Sequence, residues 1–495
     1  MKGENVLYLH LENTEFEYDI NALVREFYPY EEIKLLAGSE ESLSDFDIKE
    51  GEDLIVDITY DQDSYHIRHV TKDGKTLNAD VSELPEDHSD RKSLVKAGIY
   101  GVLHEATGQN MPWGTMTGIR PVKVFLNLME QGKSDEEIKN TIKQKYLLSD
   151  EKTALSMDVA KNEKRLLDRL DYEDGYSLYV GIPFCPSTCL YCSFTSYPVS
   201  AWKKRVDEYL DVLEEELKHT ATLFRDKKLQ TLYVGGGTPT ALLDRQLDRL
   251  LSVIEDNFDV SSLLEGTVEC GRPDSIDRGK LEAVKRHSFI DRISINPQTM
   301  NDETLKLIGR LHTVEDVERK FAMAREMGFD NINMDLIAGL PGENLQMMEN
   351  TLQKIKALKP DNLTVHSLAV KRAARLKLEM DRYRDTLGAD IAAELSAANA
   401  AAREMGLEPY YLYRQKNMAG NFENVGYASY GKEGVYNILI MEEKQTIAAC
   451  GAGSISKRVY ADGHIERAAN YKDLLLYLSD TGEAIERKRK LFEME

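Results

Sequence analysis

Three of the five cysteines of this chain stand close together, as Cys185, Cys189 and Cys192. Their spacing, C-x3-C-x2-C, places three thiolates on one loop, at the end of the apolar run 177–184. Three such thiolates can hold three irons of a 4Fe-4S cluster, which leaves the fourth iron open to a small molecule. The alternatives are a zinc site and a reactive or disulfide-bonded pair, but zinc needs a fourth ligand and the nearby stretch contains no histidine. The spacing therefore favours a cluster with an open iron.

A glycine-rich turn, Gly235-Gly236-Gly237-Thr238-Pro239, follows the next apolar run. Glycines let a backbone come close to a ligand, and Thr238 can cap the helix that Pro239 opens. Such a turn by itself is common in strand-to-helix connections for steric reasons alone. Because it stands one strand–helix unit after the cysteines, the two motifs together indicate a cofactor pocket.

Regularly alternating strands and helices must position these motifs. Candidate strands are 177–184, 229–236, 264–271, 289–296, 331–338 and 362–369. Amphipathic helices fill most of the intervals, for example 205–223 and 242–258. This alternation predicts an α/β fold with a parallel sheet, and six units predict a partial (β/α)6 barrel, with a doubly wound sheet as the alternative. In either fold the chemistry belongs at the carboxyl ends of the strands, where both motifs stand.

The whole chain is expected to divide into four segments. Residues 1–83 predict a small α+β domain, residues 84–175 a helical linking segment, 176–409 the barrel and 410–495 a carboxyl-terminal cap. Within the outer segments, the predicted strands are 53–60, 64–70, 436–441 and 445–450. The predicted helices lie near 20–27 and at 91–107, 121–131, 134–146 and 149–170.

Composition narrows the class of function. Lys and Arg total 63 against 85 Asp and Glu, which gives a formal net charge of −22. Such a chain repels a phosphate backbone unless a basic face intervenes, and no long Lys/Arg tract is present, so no nucleic-acid partner is expected.

No apolar run approaches the length of a membrane span, and the odd cysteine count fits a reducing compartment. We therefore expect a cytoplasmic protein with no membrane span.

Together, the cysteine and glycine motifs resemble those of the radical S-adenosylmethionine (SAM) superfamily. Within it, residues 177–460 are similar to the oxygen-independent coproporphyrinogen III dehydrogenases of the HemZ type. The resemblance implies that Cys185, Cys189 and Cys192 hold a 4Fe-4S cluster and that SAM binds the open iron. It also implies a set of SAM contacts: Tyr179, Tyr191, Gly235, Gly236, Gly237, Thr238, Glu269, Gln298, Arg310, Asp335 and Ala369. The residue types agree, because carboxylates accept hydrogen bonds from ribose hydroxyls and arginine can pair with a carboxylate.

The same resemblance implies a reaction. One electron from a donor such as flavodoxin or ferredoxin cleaves SAM, and the 5′-deoxyadenosyl radical abstracts hydrogen from a propionate of the porphyrinogen substrate. Loss of carbon dioxide then leaves a vinyl group, once another acceptor takes the remaining electron. Two such reactions turn coproporphyrinogen III into protoporphyrinogen IX. An acidic chain needs local cations for this polyanion, and the candidates are Lys371, Arg372, Arg375, Arg414 and Lys416, whose alternative is ordinary surface solvation.

Two departures from the better-known bacterial pattern leave another function open. Gly181 replaces a histidine, and Ser193-Phe194 follows Cys192 where that pattern has a fourth cysteine two residues on. A Cys-Ser-Phe ending resembles the HemW-type haem chaperones, so haem binding without turnover is the alternative function; radical modification of RNA is disfavoured by the charge. Other blocks resemble the HemZ branch: 111–115, 366–372, 410–416 and 418–427. The remaining cysteines, Cys270 and Cys450, are expected to be small buried side chains, with a role for Cys270 near the cluster as the alternative, because it adjoins Glu269. His366 is expected to be a structural histidine, with a place facing the site as the alternative.

Overall fold

The chain forms two compact units. The structure is a computed structural model that describes residues 6–29, 31–38, 43–45, 48, 52–61, 63–194, 196–371, 374–383, 386, 390–415 and 422–493. The first unit comprises Met1–Lys161 and Leu412–Glu423, and the second comprises Asn162–Tyr411 and Asn424–Glu495. The predicted division into four segments stays a prediction. Among the described residues, no helix is both long and apolar enough to cross a membrane.

The first unit is built on a five-stranded sheet in the order β2-β1-β3-β4-β5. Its strands are β1 Val6–Leu11, β2 Glu32–Ala37, β3 Leu54–Asp61, β4 Ser64–Val70 and β5 Thr76–Val81. Its helices, the last of which continues into the second unit, are α1 Glu17–Phe27, α2 His88–Thr107, α3 Val122–Glu130, α4 Asp135–Tyr146 and α5 Asp150–Leu167. Side chains from the sheet, α1 and α2 share one apolar core. The strands predicted at 53–60 and 64–70 and the five predicted helices are all confirmed.

The second unit contains the predicted barrel strands. They belong to an eleven-stranded sheet with the order β14-β15-β13-β12-β11-β10-β9-β6-β16-β17-β18. The strands after β5 are β6 Gly175–Ile182, β7 Phe184–Cys185, β8 Tyr197–Pro198, β9 Lys228–Gly236, β10 Glu265–Gly271, β11 Arg292–Ile295, β12 Ile332–Ala338, β13 Asn362–Ser367, β14 Glu408–Arg414, β15 Glu423–Ala428, β16 Thr446–Cys450, β17 Ile455–Val459 and β18 Ile465–Ala469. The six neighbouring strands from β13 to β6 are parallel, so the partial (β/α)6 barrel is confirmed.

Helices follow most of these strands, as the periodicity predicted. They are α6 Val199–Trp202, α7 Val206–Leu223, α8 Asp244–Asn257, α9 Arg278–Arg286, α10 Asp302–Leu307, α11 Val314–Glu326, α12 Leu345–Leu358, α13 Arg375–Leu378, α14 Met380–Tyr383, α15 Ile391–Glu404, α16 Val435–Glu442, α17 Leu474–Ser479 and α18 Thr481–Glu493. Strands β9 and β12 are buried along most of their length on both faces, which is typical of parallel sheets covered by helices.

The carboxyl-terminal residues extend the barrel sheet at both edges. Strand β16 pairs parallel with β6, and β15 pairs antiparallel with β13. One prediction in this region is wrong, because residues 436–441 lie in helix α16 and not in a strand. Its buried residues, Val435, Tyr436, Ile438, Leu439 and Glu442, recur at helical spacing. A short apolar run cannot be assigned from periodicity alone, and here the helix satisfies the burial pattern.

Candidate functional site

Strand register brings the predicted motifs to one edge of the barrel sheet. In the parallel pair β6 and β9, Gly181 lies opposite Gly235. Glu269 of β10 lies opposite Ser294 of β11, which in turn lies opposite Asn333 of β12. The cysteine loop, the glycine turn and the acidic strand ends therefore follow one another along the carboxyl edge, where parallel α/β folds place their sites.

The glycine turn packs directly against the start of the cysteine loop. The N–H of Gly237 donates to the Ile182 carbonyl at 2.7 Å, and that of Thr238 donates to the Phe184 carbonyl at 2.7 Å. A Cβ atom on Gly237 would lie 2.6 Å from the Phe184 oxygen and 3.1 Å from the Cys185 Sγ. No side chain fits between the turn and this thiol, so glycine at this position has a steric reason.

The prediction that Thr238 caps a helix is wrong. Pro239 opens a single 3-10 turn, Pro239–Ala241, and the Thr238 side chain makes no capping hydrogen bond there. Its Oγ1 instead lies 3.4 Å from the Cys185 Sγ. The hydroxyl is therefore a polar neighbour of the first cysteine.

The three cysteines occupy a half-enclosed loop. Cys189 is buried, whereas Cys185 and Cys192 are partly exposed. Burial raises the pKa of Cys185 to about 11 and also raises that of Cys192, so both thiols hold their protons at neutral pH. Thiolate ligation must therefore displace protons. Among the described residues, no three His, Cys, Asp or Glu side chains surround a position for one metal ion, whereas a cluster needs one thiolate for each iron.

Arg310 and Tyr191 hold the last part of the loop. Arg310 is buried, and its Nη2 donates to the Tyr191 hydroxyl at 3.2 Å while its Nη1 donates to the Asn296 carbonyl. The backbone N–H of Leu190 also donates to the Ile308 carbonyl at 2.9 Å. The structure thus brings together two of the predicted SAM contacts, Tyr191 and Arg310, beside the second and third cysteines.

Glu269 and Asp335 form an acidic pair whose pKa values are shifted in opposite directions. Burial and the charge of Asp335 raise the pKa of Glu269 to about 7. Burial alone would also raise the pKa of Asp335, but His366 and the Asn333 amide hold it below its ordinary value. The Asn333 Nδ2 donates to Asp335 Oδ1 at 2.7 Å, and the His366 Nε2 lies 3.8 Å from Oδ2. Asp335 is therefore the group that ionises first, and His366 faces the site.

Three stacked tyrosines lie beside Glu269. The ring centroids of Tyr233 and Tyr436 are 4.6 Å apart, and those of Tyr179 and Tyr233 are 6.3 Å apart. The Tyr233 hydroxyl donates to Glu269 Oε1. A hydroxyl donor of this kind orients the carboxylate and leaves its other oxygen for a ligand.

Gln298 and Ala369 stand at the ends of their predicted strands. Gln298 has a φ of +71°, in the left-handed region that is uncommon for a non-glycine residue. Two backbone hydrogen bonds hold it there, from its own N–H to the Asp335 carbonyl and from the Ile337 N–H to its carbonyl, both at 2.9 Å. Such a conformation is typical of functional sites. Ala369 follows β13, and its carbonyl accepts a hydrogen bond from the Lys371 N–H at 3.2 Å.

The predicted substrate cations do not form one group. Lys371 is exposed, with its Nζ 5.7 Å from the centre of the Phe194 ring, and Arg375 pairs with Glu379 at 3.2 Å. Arg372 and Lys416 lie outside the described residues.

Arg414 differs from the other candidate cations because it is buried within the first unit. Its Nη2 lies 3.2 Å from Glu26 Oε1, and its Nη1 donates to the Met116 carbonyl. This buried ion pair gives Arg414 a structural role, and its prediction as a substrate contact is wrong because the guanidinium is buried against Glu26.

Sequence reasoning missed three residues around the site, Tyr233, Tyr436 and Arg272. Tyr233 stands two positions before Gly235, and side chains two apart in a strand share a face, so periodicity could have found it. Arg272 directly follows β10, and its place next to Gly271 was the available signal. Tyr436 could not be placed, because its helix was predicted as a strand.

Comparisons with known proteins agree with this geometry. Residues 179–355 match the Radical SAM superfamily. The chain is 38% identical over 460 residues to the oxygen-independent coproporphyrinogen-III oxidase-like protein HemZ of Bacillus subtilis (strain 168), covering 90% of this chain and 89% of that protein. This chain belongs to the HemZ-type family of radical SAM proteins. This chain is also 38% identical over 195 residues to the heme chaperone HemW of Bacillus subtilis (strain 168), and the match covers 39% of this chain and 51% of that protein.

A solved structure supports the same family. The coproporphyrinogen III oxidase HemN from Escherichia coli, a radical SAM enzyme, superposes with a TM-score of 0.51 and 25% sequence identity, covering 66% of this chain and 72% of that chain. Radical SAM proteins use a 4Fe-4S cluster and SAM. The residues present fit both groups: three thiols lie on one loop, the glycine turn leaves no room for a side chain beside Cys185, and a half-buried acidic pair stands on β10 and β12, on either side of β11.

We expect the affinity for SAM to depend on pH through Glu269. If its carboxylate accepts a hydrogen bond from SAM, binding below pH 7 must first remove a proton, because the pKa is raised to about 7. Affinity should be full when pH is above 7 and fall by up to about tenfold per pH unit below it. Equilibrium titration under anaerobic conditions between about pH 8 and pH 6 measures this. Glu269→Gln should bind more weakly with a flatter profile; a wild-type profile as flat as that of the variant would contradict the assignment.

Proposed function

We propose that this protein carries out the oxygen-independent oxidative decarboxylation of coproporphyrinogen III. The reaction converts propionates into vinyl groups and gives protoporphyrinogen IX in haem biosynthesis. The observation that carries the proposal is the 38% identity over 90% of the chain to a coproporphyrinogen-III oxidase-like protein. Unlike the matches to HemW, this similarity extends well beyond the barrel.

The chain's own residues are proposed to bind and orient the reactants. When bound, the 4Fe-4S cluster and SAM supply one-electron chemistry that yields a carbon radical able to abstract hydrogen. Cys185, Cys189 and Cys192 hold the cluster, and the turn at Gly235–Pro239 receives the methionine end of SAM. Glu269 and Asp335 accept hydrogen bonds from the ribose hydroxyls. A one-electron donor such as flavodoxin or ferredoxin completes the system, and no nucleic acid takes part.

Lys371 and Arg375 are the proposed substrate cations among the described residues. Both are exposed, both follow β13, and Lys371 lies beside the Phe194 ring, two residues after Cys192. A carboxylate of the substrate could displace Glu379 from Arg375, because that ion pair is exposed and weak. These cations would offset the repulsion between a chain of net charge −22 and a substrate with four propionates.

Replacing both cations should therefore affect substrate binding but not SAM cleavage. We expect Lys371→Gln with Arg375→Gln to raise the KM for coproporphyrinogen III by about tenfold, since each charge-assisted hydrogen bond is strong. Uncoupled SAM cleavage should stay nearly unchanged, because only substrate positioning is lost. The matched control is Lys227→Gln with Arg278→Gln, two exposed cations of the same unit. An unchanged KM in the Lys371→Gln, Arg375→Gln variant would show that these two residues do not bind the substrate.

A haem chaperone is the second candidate function. The Cys192-Ser193-Phe194 ending and the identity of 38% over 195 residues to a heme chaperone favour it. This function predicts stoichiometric haem binding and no vinyl product from the wild-type protein under any reductant. Anaerobic turnover with coproporphyrinogen III, followed by product mass analysis, tests the two functions against each other.

A further inference from the structure

Arg272 is a buried cation at the cysteine loop to which the proposed reaction gives no role. It directly follows strand β10, and its side chain is 4% exposed. Gly271, just before it, has a φ of +49°, a conformation that favours glycine, and the chain turns there into the short helix Pro273–Ser275. A guanidinium stays charged at any ordinary pH, so its burial needs compensating partners.

The guanidinium of Arg272 donates hydrogen bonds to Asp274 on one side and to Ser187 of the cysteine loop on the other. Its Nε and Nη2 donate to the two oxygens of Asp274, at 3.0 and 2.8 Å, in a bidentate ion pair. Its Nη1 donates to the Ser187 carbonyl at 3.0 Å and to the Ser187 hydroxyl at 2.9 Å. The same Nη1 lies 3.5 Å from the Cys189 Sγ, within the range of a hydrogen bond to sulfur. One face of the guanidinium is therefore fixed by Asp274 and the other reaches the middle cysteine.

Both partners of Arg272 have a further polar neighbour. Asp274 Oδ1 lies 3.5 Å from the Nδ1 of His312, and the His312 side chain is buried. Ser187 is held from the other side, because its hydroxyl donates to the Gly309 carbonyl at 2.9 Å. Arg272 cannot easily turn away from Cys189, since four hydrogen bonds to Asp274 and Ser187 hold its guanidinium. Such preorganisation is what makes a contact to a ligand sulfur effective.

We propose that Arg272 is a positioning residue that raises the reduction potential of the cluster by donating a hydrogen bond to the sulfur of Cys189. Hydrogen bonds to ligand sulfurs and the net charge nearby are two of the quantities that set this potential. Reduction adds one negative charge to the cluster, and a buried positive donor at 3.5 Å from a ligand atom stabilises that charge. The charge of Arg310 also acts on Cys189, but the hydrogen bonds described for Arg310 go to the Tyr191 hydroxyl and the Asn296 carbonyl.

This role is independent of the substrate. A higher reduction potential allows a weaker reductant to reduce the cluster. This holds whether the protein decarboxylates a porphyrinogen or only binds haem. The inference rests on the cluster and not on the proposed decarboxylation, so a failure of either can be recognised separately.

The test is an anaerobic redox titration of the reconstituted cluster, followed by electron paramagnetic resonance. In Arg272→Gln, we expect the ratio of reduced to oxidised cluster at the wild-type midpoint to fall about tenfold, which is a shift of about 59 mV to lower potential for one electron. Arg245→Gln, a substitution at an exposed arginine of the same unit, should keep the wild-type midpoint. A fully loaded Arg272→Gln protein with the wild-type midpoint would overturn the proposal.

A second variant covers the case in which Arg272→Gln takes up no iron. Arg272→Lys keeps the charge but cannot reach Asp274 and Cys189 together, because an ammonium lacks the planar fork. Its midpoint should lie below that of the wild type by a smaller amount, and a midpoint equal to or above the wild-type value would overturn the proposal. Loss of iron from both variants would mean that Arg272 only stabilises the cysteine loop, and this result would also overturn the proposal.

Discussion

Replacing Cys185, Cys189 or Cys192 with Ala, one at a time, is expected to abolish reconstituted iron and the brown absorbance. Each thiolate would hold a different iron, so the remaining two cannot complete a cluster with a single open iron. The Gly237 turn packs against Cys185, and Cys189 is buried next to Arg272. Iron and sulfide content after anaerobic reconstitution, together with the visible spectrum, measures the effect.

The two other cysteines are the matched controls for this experiment. Cys270 and Cys450 are both fully buried, as predicted, and burial raises the pKa of Cys270 to about 12. Cys450 has polar neighbours, with its Sγ 3.2 Å from both the Thr220 hydroxyl and the Lys488 Nζ. Cys270→Ala and Cys450→Ala should keep a full complement of iron. If Cys270→Ala also removed the cluster, a site with four thiolates would be the better interpretation.

Replacing Glu269 or Asp335 with Ala should leave the cluster in place and weaken SAM binding by tenfold or more. Removing a charged acceptor from a buried ligand hydroxyl costs about 1.5 to 3 kcal/mol. The two carboxylates are held by different donors, Tyr233 for Glu269 and Asn333 for Asp335. Because the charge of Asp335 raises the pKa of Glu269, Asp335→Ala should also make Glu269 easier to ionise, so the two effects are not expected to add. Equilibrium binding of SAM to the reconstituted protein measures the loss.

Glu282→Ala provides the control for the carboxylate substitutions. Glu282 is an exposed carboxylate on helix α9, in the same unit, and its removal should leave both the cluster and the SAM affinity unchanged. Unchanged affinity in both Glu269→Ala and Asp335→Ala would mean that the acidic pair lies away from the cofactor, and the order of the strand-end contacts would then be wrong.

The barrel could be predicted from sequence because its strands are buried on both faces and bounded by clear turns. All six predicted strands are present within a few residues of their bounds. The cysteine loop and the glycine turn were local in sequence, and parallel register then brought them to one edge. Helix α16 could not be predicted, because a short run of branched apolar residues fits a buried strand or a buried helix equally well.

Long-range pairing explains most of what sequence reasoning could not place. Arg414 stands two residues before another candidate cation, Lys416, yet its partner is Glu26, and nothing local in the sequence indicates that pair. Arg272 and Cys189 are likewise far apart in sequence and meet only because β10 ends beside the cysteine loop. The protonation difference between Glu269 and Asp335 depends on Tyr233, Asn333 and His366, which three different strands contribute.

The product formed from coproporphyrinogen III is the measurement that tests the central claim most directly. The reconstituted wild-type protein is incubated anaerobically with SAM, a reductant and coproporphyrinogen III, and the oxidised products are identified by mass. We expect products that lack one and then two units of carbon dioxide plus two hydrogens, at more than one turnover per protein, and none from Cys189→Ala. Unaltered coproporphyrinogen together with stoichiometric haem binding by the same preparation would contradict the proposed decarboxylation.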